Sequence, residues 1–168
     1  ASGQLIMAHA WLHDLGMQRP VSNIVLTPNA KGYRTRIQGG TLSELKTDDD
    51  VIEFDFLADA LPWVTPPETE KAAQLLKLGH KFSREGFQVH GLEPGTYELF
   101  IDGTPIGQFS HTQLAAHIEL QRFPDSPQSR QSAAVVALNR QRNETTVRAL
   151  PGPKEHCRKP RTMRLGRV

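Results

Sequence analysis

Apolar residues recur at helical spacing in the first sixteen positions, ASGQLIMAHAWLHDLG. Leu5, Ala8, Leu12 and Leu15 form a stripe that Ile6 and Trp11 widen. Ser2 stands where a cap is needed and Gly16 where a helix stops. A helix this apolar needs a partner surface. Arg19-Pro20 breaks the pattern, and residues 21–27 (VSNIVLT) read as a strand. Pro28 to Gly32 is a turn cluster, Tyr33 to Ile37 a short strand, and Gly39-Gly40 its end. Leu42 and Leu45 precede the acidic run Asp48-Asp49-Asp50. Val51 to Leu57 alternates apolar and acidic residues at its centre, the mark of a half-buried strand, and its partner Ala60-Leu61-Pro62-Trp63 then ends it.

Prolines 62, 66 and 67 make an extended connector, and residues 67–78 read as a helix stopped by Gly79. Lys81 to Leu92 is strand material interrupted near Gly86. Thr96 to Ile101 is the clearest strand, Asp102-Gly103 a hairpin turn, and Ile106 to Phe109 the antiparallel return. Ser110 caps a helix over 112–120 with Leu114, Ala115, Ile118 and Phe123 on its buried side. Ser126 caps another, with Pro127 at the favoured first position, Ala133, Val136, Ala137 and Arg140 along the packed stripe, and an end near Asn143. The order of elements predicts an α+β body, an antiparallel sheet with helices packed on one side.

With 38% hydrophobic and 23% charged residues over 168 positions, a folded domain is expected. No apolar run approaches the roughly 18 residues of a membrane span. Residues 144–168 carry seven Lys or Arg against two Glu in a chain of net charge +2, so the remainder is acidic overall. Pro151, Pro153 and Pro160 and the few apolar residues there predict a disordered basic tail. Aromatic residues do not interleave with it, so nucleic acid is not an expected partner. Cys157 is the only cysteine, which excludes an intramolecular disulfide.

The candidate chemistry is sparse. His9 and His13 lie four apart on one helix face, a spacing that suits zinc, but no His-Glu-x-x-His motif or third ligand accompanies them. His111 and His117, six apart, cannot share a helix face. His80 and His90 lack a partner pattern. Ser110-His111 sits at a predicted cap, and no Gly-x-Ser-x-Gly elbow is present. Asp102 reads as turn chemistry, the run 48–50 lacks the spaced oxygens and closing Glu of a calcium loop, and Trp63 reads as a core plug or a cleft wall. No catalytic, cofactor-binding or metal-ligating residue is assigned, and no cofactor is expected.

The run Gly3-x-x-x-Met7-Ala8-x-x-x-Leu12-x-x-x-Gly16 resembles the helix that follows the Asp-x-x-His block of SGNH (GDSL-type) hydrolases. Gly91-Leu92-Glu93-Pro94-Gly95-Thr96-Tyr97-Glu98-Leu99-Phe100-Ile101-Asp102-Gly103 is similar to a strand-turn-strand run in a carboxyl-terminal extension of certain bacterial members. Leu114-Ala115-Ala116, Pro127 and Gln131-Ser132-Ala133 are similar to its helical pair. The resemblance implies that residues 1–18 are the last helix of an α/β (flavodoxin-like) hydrolase domain, residues 19–143 an accessory α+β domain, and 144–168 a tail. It further implies an amino-terminal hydrolase domain as partner, an ester or acetylated carbohydrate as substrate, export from the cytoplasm, and catalytic residues outside this chain. The alternative is a non-catalytic module that binds a glycan or a protein.

Overall fold

The alternating segments become strands in a computed structural model whose described residues are 2–48, 51–144 and 161–167. In chain order the elements are α1 (Ser2–Asp14), β1 (Ser22–Asn29), β2 (Gly32–Gln38), β3 (Gly40–Asp48), β4 (Val51–Ala58), α2 (Glu70–Leu75), α3 (Leu78–Phe82), β5 (Glu85–Val89), β6 (Thr96–Ile101), β7 (Thr104–Ser110), α4 (His111–Ala116), β8 (Ile118–Glu119), α5 (Pro127–Glu144) and β9 (Arg161–Arg167). Short 3-10 turns cover Pro67–Thr69 and Leu120–Arg122. The fold is α+β, and its strands divide between two sheets. One sheet runs β2-β1-β5-β8, the other β3-β4-β9-β6-β7. All pairings are antiparallel except β1 with β5, which sets Ile24 beside Phe87 and Leu26 beside Val89.

Because side chains alternate across a strand, each sheet turns one apolar face inward. Ile24, Leu26, Phe87 and Val89 come from the four-stranded sheet. Ile52, Phe54, Phe56, Tyr97, Leu99, Ile101, Met163 and Leu165 come from the five-stranded one, and all belong to a single buried cluster. The rings of Phe54 and Phe87 meet across the two sheets at 6.2 Å. Leu114 of α4 and Leu120 close the cluster.

Two turns show why small or turn-forming residues stand where they do. At Gly39-Gly40 the chain leaves one sheet and enters the other without a loop. Gly39 has φ +73°, and a Cβ there would lie 2.0 Å from the Val21 carbonyl oxygen. A Cβ at Gly40 would strike the Phe56 ring at 2.4 Å. At Asp102-Gly103 both residues have positive φ, 49° and 72°, as the tight β6–β7 hairpin demands. Asp102 Oδ1 also accepts the Thr162 amide at 3.0 Å, which ties the hairpin to β9.

Several expectations are corrected. The basic end is not a disordered tail over 161–167: β9 sits between β4 and β6, with Met163 and Leu165 both about as buried as the core. The rest of that segment, 145–160, lies outside the described residues. Leu42 and Leu45 belong to β3, and β4 pairs with β3 and β9, not with Ala60-Leu61-Pro62-Trp63. The helix expected over 67–78 is a 3-10 turn, α2 and α3; Gly79 lies inside α3, and the chain reverses at Lys77, which adopts a left-handed φ of 50°. The helix expected over 112–120 ends at Ala116, since Ile118 and Glu119 leave it to pair with β5. The stripe Ala133, Val136, Ala137 and Arg140 is exposed, because α5 is seated through its first turns, where Ser126, Gln128 and Ser132 are buried and Ser132 Oγ donates to the Pro62 carbonyl. Among the described residues no helix is long and apolar enough to cross a membrane.

The position of β9 makes a prediction. Leu165→Ala should cost about 3 kcal/mol in urea unfolding, as for a buried leucine left with a cavity. Arg164→Ala, on the outward face of the same strand, should change stability by less than about 0.5 kcal/mol. Equal small effects at both positions would mean that β9 is not part of the core.

Candidate functional site

Helix α1 ends where its sequence demands, but of the expected stripe only Leu5 and Leu12 are half-buried, while Ala8 and Leu15 are exposed. Gly16, at φ +66°, ends it, with the Met17 amide bonded back to the Leu12 carbonyl at 3.0 Å and the Gly16 amide to that of His13 at 2.9 Å. Ser2 lies inside the helix, its hydroxyl donating to the Glu68 carbonyl at 3.4 Å. Leu5, His9 and Leu12 are half-buried on the side of α1 that meets α2 and the neighbouring 3-10 turn. Met7, Trp11 and Leu15, each four residues apart, form the opposite stripe and are 63%, 76% and 70% exposed. No residue of α1 is buried. Leu75 of α2 is exposed as well.

His9 anchors α1 to the body by setting its ring edge-on to Phe82 at 5.2 Å, and Trp63 stacks on the same phenyl ring at 5.5 Å. Trp63 is therefore part of a half-exposed aromatic group, not a core plug; its amide donates to Ser83 Oγ at 2.6 Å. Burial, then the charge of Lys81 and of His13, holds His9 below the usual imidazole range. The His9 and His13 rings stand 6.3 Å apart, with no carboxylate completing a three-ligand group among the described residues.

A cleft of about 470 Å³ opens between the end of β4 and α5, lined by Leu57, Leu61, Gln131, Val135, Leu138 and Arg161 among others. The Arg161 guanidinium donates to Gln131 Oε1 at 2.7 Å. Behind it lies Glu85, the first residue of β5, 3% exposed. Burial pushes the Glu85 carboxyl up to about 7, with the charge of Arg161 and a hydrogen bond from Gln128 opposing only part of that rise. Among the described residues its Oε2 atom has no hydrogen-bond partner. Glu85 was not singled out from the sequence; a carboxylate at the start of an apolar strand was the available signal.

On another face, His80 of α3, His117 after α4, and Glu119 of β8 converge. His80 Nδ1 lies 2.5 Å from Glu119 Oε1, and His117 Nε2 lies 3.5 Å from the same oxygen. Gln121 Nε2 donates to Glu119 Oε2 at 3.1 Å, and Gln121 Oε1 accepts the Glu85 amide at 2.8 Å. Burial pulls the Glu119 carboxyl upward, but hydrogen bonds and charge from His80 and then His117 outweigh it and leave the group below its ordinary value. Reading 112–120 as one helix hid this group. His117 is extended, with φ 162° and ψ 150°, and residues two apart in extended chain project to one side.

The remaining candidates have structural partners. Ser110 forms a capping box with Gln113, while His111 Nδ1 accepts the Gly95 amide at 3.3 Å, so the two do not form a nucleophile and base. Asp102 is turn and strap, as above. Residues 49 and 50 of the acidic run and Cys157 lie outside the described residues.

Glu85 makes the fold pH-dependent in a definite direction. Its folded-state value of about 7 exceeds the ordinary 4.5, so between those values the native chain binds more protons than the unfolded one. Stability then falls as pH rises through that window, by about 3 kcal/mol in all. Glu85→Gln should shrink the difference between urea midpoints measured at about pH 5 and about pH 8. An undiminished difference in that variant would assign the effect elsewhere.

No protein-family model matches the chain, and no curated protein matches it. The structure is similar to that of a gut microbial diltiazem-metabolizing enzyme, with a TM-score of 0.74 and 29% identity, covering 85% of this chain and 34% of that one. The chain thus spans about a third of that enzyme's length.

Proposed function

We propose that this chain is the carboxyl-terminal portion of an SGNH-type ester hydrolase, an accessory α+β domain whose α1 lies against the catalytic domain. The observation that carries the reading is the exposed stripe Met7, Trp11 and Leu15 on a helix whose other side already holds the body. Three large apolar side chains in a row are costly to leave in water, at roughly 1.5–3 kcal/mol each relative to full burial. The similarity to a drug-metabolizing enzyme of about three times the matched length supports a larger polypeptide as their cover. Diltiazem is an ester-containing compound, which agrees with ester hydrolysis as the chemistry. In this reading the serine, its activating His and Asp, and the oxyanion donors lie on the catalytic domain, and carboxylic esters, acetylated carbohydrates among them, are the substrates.

A second reading, a module that binds a glycan or a protein, is favoured by the cleft beside Arg161, where Gln131 and Asn139 offer polar groups between apolar walls. Saturable glycan binding by the isolated chain, lost in Asn139→Ala, would select it.

The first reading predicts that the 168-residue chain alone does not hydrolyse nitrophenyl acetate, whereas a polypeptide extended through its upstream reading frame does. Trp11→Glu with Leu15→Glu should lower the stability of the extended protein by about 3 kcal/mol and leave that of the isolated chain within about 0.5 kcal/mol. Steady hydrolysis by the isolated chain, abolished by changing one of its own serines, would overturn it.

A further inference from the structure

We propose that His80, His117 and Glu119 form a zinc site with one coordination position open to solvent. Two imidazoles and a carboxylate are a donor set that zinc takes in three-ligand sites, with bonds near 2.0–2.2 Å. The three donor atoms lie within 4.8 Å of one another. Tetrahedral coordination at such bond lengths separates donors by about 3.3 Å. The His117–Glu119 separation of 3.5 Å already fits. The His80–Glu119 separation of 2.5 Å must widen, and the His80 side chain, 47% exposed, has room to swing. The metal then takes the place of the proton between Nδ1 and Oε1, and His80 keeps its ring proton on Nε2.

The surroundings suit a ligand set more than a chance ion pair. His117 and Glu119 stand two residues apart where the chain enters β8, and His80 of α3, remote in sequence, joins them only in the folded chain. Glu119 is the least exposed of the three, at 17%, and its second oxygen is held by Gln121. Gln121 is itself fixed by the backbone of Glu85 at the head of a core strand. This is the outer support that orients a metal-binding carboxylate. Ligands on α3 and β8 also give the ion a mechanical effect: it ties α3 to the edge of the four-stranded sheet. The inference is independent of the hydrolase reading, since it concerns residues remote in sequence from α1.

The test is zinc titration of the tag-free chain, in a Cys157→Ser background so that the lone thiol does not compete, against a chromophoric chelator. One zinc per chain is expected. His117→Gln and His80→Gln should each weaken binding on the order of tenfold or more, and zinc should raise the unfolding temperature of the parent but not of either variant. His9→Gln, on α1, should bind as the parent does. Both histidine variants keep the buried core intact, and circular dichroism verifies their folding. Unchanged affinity in His80→Gln and His117→Gln, loss of affinity in His9→Gln alone, or no binding at about 100 µM zinc would overturn the proposal.

Discussion

The antiparallel seat of β9 between β4 and β6 is the constraint on which the five-stranded sheet depends. Without it β4 and β6 would each present an open edge, and the inward faces of Phe54 and Leu99 would lose Met163 and Leu165 from between them. Backbone pairing is reinforced by side chains at both ends of the strand. Thr162 Oγ1 donates to Asp55 at 2.8 Å, its amide bonds Asp102, and the Arg167 guanidinium reaches the Pro94 carbonyl at 3.2 Å. These contacts link residues far apart in sequence, so the sheet closes only when the carboxyl-terminal segment returns. Loop closure of this kind is slow to form but contributes little further entropy cost with added length.

The same strand couples the core to the surface features. Arg161, its first residue, lines the cleft and also opposes the neutralisation of the buried Glu85. The Glu85 amide in turn holds Gln121, which orients Glu119 beside the two histidines. Cleft, buried carboxyl and histidine group are therefore one connected polar layer around the start of β5. Helix α1 stands outside it, fastened through His9 and Phe82, with its second apolar face free of the core. The body thus keeps its own buried cluster, while the second apolar face of α1, with Met7, Trp11 and Leu15, is exposed.

Strong local patterns were legible in the sequence. The hairpin at Asp102-Gly103 and the caps at Ser110 and Ser126 need only local chemistry, and so do the strands around Ile24, Phe54 and Leu99. Strand β9 was hidden because Met163 and Leu165 alternate with arginines after Pro160, and bulk charge outweighed a short period-two signal. The division into two sheets was hidden for another reason: Gly39-Gly40 reads as a strand end, whereas only tertiary packing shows it as a corner. The histidine group depended on Ile118 and Glu119 leaving a helical pattern to pair with β5, an override by a long-range partner. Glu85 gave almost no signal, since its character comes from burial against Arg161 and Gln128.

The core is completed by β9, and α1 lies outside it. Amide hydrogen exchange of the isolated chain tests that most directly. The amides of 163–165 should exchange as slowly as those of Phe54 and Leu99, and those of Met7 to Trp11 much faster. Free exchange throughout β9, or protection of α1 equal to that of the core, would contradict it.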